Sequence, residues 1–438
     1  MKKNKPVVRN NTQTFFYAVI TVAAVFLAVM FLVHLPMDII SDDAYHLDHG
    51  VNQENMTSLL KEIYYHNGKF LTDGLAYLFY RIPFPLWKII DTIVYGILLG
   101  GLWSLFTDRS LPMLVVCAMT VVLFPASFLM RSAGFIATST NYLYTVLGLL
   151  LGITPLVRRI RREKTGAPGY ILSFLGLLYA GNQDQTAVVA AGAFFLTGLY
   201  YFLRSGGKGN NTDRDIVLVS VVYFAVSAAI YLFMFRVPGH IERMSSTAEM
   251  ERYLPQYAQW STGFKFYRGM ATTFAWLFFV QPDLVRLFCF GLLALCYIRR
   301  AKGIIIPVLL QAAVLAAGAI DSDYFIIYHD YAYKMPDLKP VSTHPQAVVL
   351  AFLIFAFLFF SVLTLWKTDQ DLCAKLVILN VLGFGSRFMM GFSATLYASS
   401  FRTFVPQMFS FIICDILLAG TILREIRLPG LSSNINRG

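Results

Sequence analysis

The segment Leu35-Pro-Met-Asp-Ile-Ile-Ser-Asp-Asp-Ala-Tyr-His46 places two adjacent carboxylates, Asp42 and Asp43, just past an apolar run long enough to cross a membrane. Carboxylates held together at the edge of a bilayer are costly unless chemistry or a partner retains them. They also repel, so one of the two is expected to hold its proton more tightly, and a partly dry headgroup region adds to that shift. His46 follows three to four residues later, which on a helix puts its imidazole on the same face. The competing reading is a helix start, because Ser41-Asp42-Asp43 is a good capping sequence.

Other polar residues stand where apolar ones are expected. Arg387 sits inside the run Leu376 to Phe392, where a guanidinium must meet either a carboxylate, Asp415 being one, or a phosphate. Arg402 lies at the mouth of the last apolar run and Arg131 at the end of the third. The stretch Ala180-Gly-Asn-Gln-Asp-Gln185 interrupts another run, and a turn between two helices needs such groups for its freed backbone. Arg236, His240 and Arg243 surround Pro238-Gly239, with Arg252 farther along. His66, Asn67 and Lys69 surround Gly68, where Asn67-Gly68 suits a left-handed helix end. Asp321-Ser-Asp323-Tyr324 and Tyr328-His-Asp330 form a further polar cluster, able to ligate a cation or bind glycan.

The elements that must position these residues follow from composition. The chain is 57% hydrophobic, 15% aromatic and 14% charged over 438 residues, with mean hydropathy +0.60. These values point to a multi-spanning membrane protein. It should be all-α, because backbone polar groups in lipid must be satisfied within each segment. A helix needs about 20 apolar residues to span, which predicts about twelve spans in one transmembrane domain over 15–423. That domain is flanked by a cytoplasmic N-terminus (1–14) and tail (424–438). The predicted spans start at Phe15, Trp87, Leu111, Tyr142, Tyr170, Thr186, Ile216, Met270, Ile304, Ala347, Leu376 and Val405. Tyr170 to Gly181 is short, and Met270 to Tyr297 is long and interrupted at Gln281-Pro282-Asp283; either suits a broken helix.

Every second loop is basic, from Lys2 through Arg109, Arg158 to Lys164, Arg204, Arg299 and Lys367 to Arg424. The positive-inside rule then puts both termini in the cytoplasm. Cationic loops against an anionic leaflet also account for the net charge of +11 without invoking nucleic acid. The first apolar run is long for a signal core and lacks a small-x-small cleavage site, so it is read as a retained helix. The five cysteines show neither a disulfide framework nor metal-ligand spacing. No nucleotide-binding loop is present in the sequence.

The first outer loop, about 34–86, is the longest. Met56, Leu59, Leu60 and Ile63 recur at helical spacing beside Asn55, Ser58, Lys61 and Glu62, the pattern of a helix lying in the interface. Tyr64, Tyr65, Phe70, Tyr77, Phe79 and Tyr80 supply aromatic side chains suited to that depth.

A first membrane helix, then an outer loop opening on an acidic pair and carrying interfacial helices, then about ten further spans, resembles a GT-C glycosyltransferase. Ser41-Asp-Asp-Ala-Tyr45, Tyr65-His-Asn-Gly-Lys-Phe70, Ala180-Gly-Asn-Gln-Asp-Gln185, Val237-Pro-Gly239 and Tyr397-Ala-Ser-Ser-Phe-Arg402 also resemble a bacterial group of multi-pass proteins near that superfamily. Lys69 stands where that group is expected to carry arginine, which keeps a cation but loses bidentate recognition. The resemblance implies transfer of a sugar from a polyprenyl-phosphate carrier to a cell-envelope glycan or polymer, on the outer side of a bacterial plasma membrane, with inversion at the anomeric carbon. It implies Asp42 or Asp43 as the base, or the pair as ligands of a divalent cation such as Mg or Mn. Arg387 and Arg402 would stabilise the phosphate, Asn182 and Asp184 would contact sugar hydroxyls or metal, and His46, Lys69, Arg236 and Arg243 would line the substrate site. A flippase or other transporter of lipid-linked saccharide and a polysaccharide polymerase are the alternative readings. A transporter would not need an acidic pair at one mouth, and it would more naturally show related halves.

Overall fold

The computed structural model describes residues 8–50, 54–124, 134–206, 211–245, 251, 254–277, 283–314, 345–396 and 399–435. Arg131, Arg252 and the Asp321 to Asp330 cluster lie outside the described residues. The described residues are all-α, with no strand among them. Seven helices are long and apolar enough to cross a membrane, and four shorter apolar ones accompany them.

The chain opens with α1 (Val8–His34), followed by three short helices: α2 (Asp42–Asp48), α3 (Met56–His66) and α4 (Thr72–Phe79). Next come α5 (Phe84–Phe106), α6 (Leu111–Val122), α7 (Phe135–Gly152), α8 (Thr154–Ile160), α9 (Ala167–Gly181), α10 (Asp184–Ser205) and α11 (Asn211–Phe235). The remainder comprises α12 (Pro238–Ser245), α13 (Thr262–Ala275), α14 (Asp283–Ile298), α15 (Ile305–Val314), α16 (Pro345–Trp366), α17 (Gln370–Phe388) and α18 (Val405–Ile435). The long interrupted run expected from Met270 is divided between α13, which starts eight residues earlier, and α14.

Exposed apolar side chains such as Leu218, Val221, Phe352 and Phe359 cover the outside of the bundle. In water such a surface would aggregate; in a bilayer it is the solvent-facing side. Inside, α18 packs against α17, α14 and α6, so it forms the central element. Its first half is almost wholly buried, including Val405, Met408, Ile412 and Ile416. α7 and α9 meet backbone to backbone: a Cβ on Gly148 would fall 2.7 Å from the carbonyl oxygen of Gly176. Ser173 seals that crossing by donating to the Gly152 carbonyl (2.7 Å), the close approach that small residues permit between membrane helices.

The basic loops gather at one end. Arg109 pairs with Glu163 (2.6 Å), Arg159 with Asp215, Arg204 with Asp371, and Arg299 with both Asp369 (3.2 Å) and Glu425 (2.9 Å). Arg161 donates to the carbonyls of Ser104, Leu105 and Thr107, closing the end of α5. The acidic pair and α2 to α4 lie at the opposite end.

Near that opposite end, α1 is fastened to α5 by a pair that the sequence did not single out. His34 Nε2 lies 2.7 Å from Asp91 Oδ2, and both side chains are wholly buried. His34 Nδ1 faces the carbonyl of Met30 at 2.6 Å, so that nitrogen carries hydrogen. Removing one partner strands the other in the bundle, a loss of about 3 kcal/mol. Asp91→Ala should lower the unfolding midpoint in detergent by that order; an unchanged midpoint would show that the pair contributes nothing to holding α1.

Candidate functional site

The acidic pair is divided by the fold. α2 starts after Ser41, whose φ of 55° is unfavourable for a residue with a side chain and whose hydroxyl makes no cap bond. Asp43 points inward and is fully buried. Its Oδ1 accepts from the Tyr80 hydroxyl (2.9 Å) and the Ala137 amide (3.0 Å), and its Oδ2 from the Ile136 amide (2.9 Å). These amides are free donors at the start of α7, so Asp43 caps a helix ninety residues away in sequence. Gly134 makes room for it: its φ is +92°, and a Cβ there would fall 2.5 Å from the carboxyl carbon. Burial pushes the Asp43 carboxyl up to about 6, against the pull of its donors. Asp42 points the other way, with a side chain 53% exposed, and its Oδ2 lies 3.9 Å from Nη1 of Arg402.

His46 lies between the pair and an aromatic wall, its ring centroid 5.4 Å from Tyr77 and 5.6 Å from Tyr80. Burial holds its pKa below the ordinary value, with Asp73 and Asp42 opposing. Burial pushes the Tyr77 phenol up to about 12 and that of Tyr80 further, Asp43 adding to the latter.

Asp73 joins a polar network that no sequence pattern indicated. Its Oδ1 accepts from Asn141 Nδ2 (2.8 Å), and its Oδ2 accepts from Asn67 Nδ2. Asn141 sits in a π-helical stretch of α7, Ser139–Leu143, and its Oδ1 accepts from the Thr72 hydroxyl (2.9 Å). A π-bulge widens the helix and turns one extra side chain inward. Asn182 completes the network by accepting from the amides of Leu71 and Thr72, both at 3.0 Å, which caps α4.

The residues after Asn182 spread the connections outward. The Gln183 side chain caps α10 by accepting from the Thr186 amide (2.9 Å). Asp184 pairs with Arg243 (3.0 Å) and lies 3.8 Å from His240. Arg243 also reaches Asn67 Oδ1 (3.4 Å). Lys69 is half-buried and close enough for its charge to bear on His240, whose pKa is lowered mainly by burial. Gln185 Nε2 donates to the carbonyls of Ser386 (2.9 Å) and Thr403 (3.2 Å), tying together the two segments that carry Arg387 and Arg402.

Arg387 is 3% exposed, with its guanidinium carbon 4.3 Å from the ring centroid of Phe404. Asp415, considered as its partner, is buried with neither carboxyl oxygen hydrogen-bonded. Arg236 is exposed. Asp42, Asp43, His46 and Arg402 thus form one group, and Lys69, Asp184 and Arg243 a second, with Asn182 and Gln185 structural between them.

The donor set does not fit a divalent cation held jointly by Asp42 and Asp43. The Asp43 oxygens already accept three hydrogen bonds, and Asp42 faces a guanidinium rather than further oxygens. Among the described residues, no three His, Cys, Asp or Glu side chains converge on a common point. No protein-family model, curated protein or solved structure matches this chain.

The two acids should respond differently to substitution. Asp43→Asn turns one acceptor into a donor aimed at other donors and should destabilise the protein by about 2 kcal/mol, whereas Asp42→Asn should leave the unfolding midpoint within about 0.5 kcal/mol. The raised pKa of Asp43 adds a pH signature. The folded state keeps a proton between the ordinary value near 3.9 and about 6, where the unfolded chain has lost it. The stabilisation is therefore full below that window and lost as pH rises through it. Unfolding midpoints of wild type and Asp43→Asn at pH 4 and pH 7 test this, and the wild-type advantage should shrink at the higher pH.

Proposed function

We propose that the chain is a GT-C-type membrane glycosyltransferase that moves a sugar from a polyprenyl-phosphate carrier to a cell-envelope acceptor. In this reading it crosses a bacterial plasma membrane about twelve times, with the basic end and both termini cytoplasmic and the Asp42 end outside. The observation that carries the proposal is the half-exposed Asp42 facing Arg402, on a segment that Gln185 ties to the one bearing Arg387. A carboxylate able to serve as base and a cation able to meet a leaving phosphate thus face each other at 3.9 Å.

Asp42 takes the proton of the acceptor hydroxyl, the hydroxyl oxygen bonds to the anomeric carbon, and the bond from that carbon to the phosphate oxygen breaks. The electron pair leaves with the phosphate, whose charge Arg402 meets. Arg402 exchanges Asp42 for the incoming phosphate, so donor binding itself uncovers the base. Asp43 holds α2 in place and takes no proton from substrate. Lys69 and Arg243 lie farther along the same end, where they suit an extended anionic or sugar-bearing ligand.

The test is mass spectrometry of envelope glycans and carrier-linked sugars in cells lacking the protein, complemented with wild type, Asp42→Asn or Arg402→Gln. Wild type should restore a missing decoration. Asp42→Asn should accumulate the carrier-linked donor, with turnover of purified protein down about 100-fold or more. Full complementation by Asp42→Asn would remove the transferase mechanism.

A further inference from the structure

The basic end encloses a second space, remote from Asp42. A cavity of about 430 Å³ lies between the end of α5 and helices α8, α10, α17 and α18, within the range of small-molecule sites. Its walls are apolar in depth and charged at the mouth. From Lys375 to Leu382 on α17, from Tyr201 back to Ala193 on α10, and from Arg424 back to Ile416 on α18, the lining runs about two turns. At 1.5 Å per residue that is roughly 11 Å of apolar depth.

The charges at the mouth are not equivalent. Asp371 is held by Arg204 and by the Tyr200 hydroxyl (2.6 Å). Arg161 is engaged with the α5 carbonyls and with Glu163 (3.1 Å). Asp108 accepts from the Ser110 amide (3.0 Å). Lys375 belongs to none of the ion pairs among the described residues: Asp371 and Asp369, whose fields reach it, are paired with Arg204 and Arg299. Its side chain nevertheless stands exposed at the cavity. Arg424 bonds only within its own helix, to the Gly420 carbonyl (3.2 Å) and the Thr421 hydroxyl (3.4 Å). The lining carries three cations, Arg161, Lys375 and Arg424, against two acids, Asp108 and Asp371, so the mouth keeps a positive excess beside an apolar shaft.

We infer that this cavity binds an anionic phospholipid from the leaflet at the basic end, with its phosphate on Lys375 and Arg424 and one chain running toward Leu382. A free anion would leave the apolar walls uncovered, and an uncharged chain would leave the two cations at the mouth without a counter-charge. A lipid phosphate answers both. The inference does not depend on the transferase reading.

Native mass spectrometry of the full-length protein in neutral detergent, titrated with phosphatidylglycerol, phosphatidylcholine or inorganic phosphate, tests it. Wild type should retain one phosphatidylglycerol in clear preference to phosphatidylcholine. Lys375→Gln and Arg424→Gln should each weaken retention about fivefold, the effect expected of one cation near a lipid phosphate. Ala193→Phe should block the chain while keeping both cations. Arg424→Gln and Ala193→Phe decide the matter even if Lys375→Gln fails to fold. Equal retention of the two lipids, unchanged binding in Arg424→Gln and Ala193→Phe, or binding of inorganic phosphate without lipid would overturn the proposal.

Discussion

A helix that ends inside the protein must have its free amides and carbonyls satisfied by other protein groups, because water does not reach them. Much of the arrangement at the Asp42 end answers that requirement. The start of α7 is closed by Asp43, that of α4 by Asn182 and that of α10 by Gln183; at the other end Arg161 closes α5. Three of these four caps come from a different element than the helix they close. Each cap is therefore also a tertiary contact, fixing where one helix begins relative to another.

The break between α9 and α10 concentrates this effect. Asn182 turns to α4, Asp184 to α12 through Arg243, and Gln185 to the ends of α17 and α18. Successive side chains leave a tight turn in different directions, so a short polar stretch reaches elements that share no direct sequence link. Helices α4 and α12 and the two arginine-bearing segments are thereby referred to one origin, the turn between α9 and α10.

Much of the architecture was legible because it follows from periodicity and charge. Composition required a helical membrane protein, and the basic loops predicted an end that the ion pairs around Arg159, Arg204 and Arg299 draw together. The helix expected over Met56 to Ile63 is present as α3, with Asn55 accepting from the Thr57 amide (2.8 Å) and Gly68 at φ +79° just past its end. What was not legible depends on partners distant in the chain. Asp73 and Asn141 look like ordinary loop and helix-end residues until a π-helical stretch turns Asn141 toward Asp73. Tyr80 looks like one more interfacial aromatic until its hydroxyl meets Asp43. His34 and Asp91 lie fifty-seven residues apart, and neither carries a local signal. Adjacency in sequence also suggested that Asp42 and Asp43 act together, whereas neighbouring positions on a short helix point in different directions.

That divergence bears directly on which acid is available for chemistry. Asp43 could accept a substrate proton only by disturbing bonds that hold α7 and Tyr80, and a buried acceptor set of this kind is expensive to disrupt. The contact between Asp42 and Arg402 is long, at 3.9 Å, and Asp42 is half in solvent. Pairs of that kind contribute at most about 1 kcal/mol, so an arriving anion can take Arg402 at little cost. The more firmly placed carboxylate is suited to architecture and the loosely held one to reaction. In the proposed reaction, Asp43 would fix the position from which Asp42 acts.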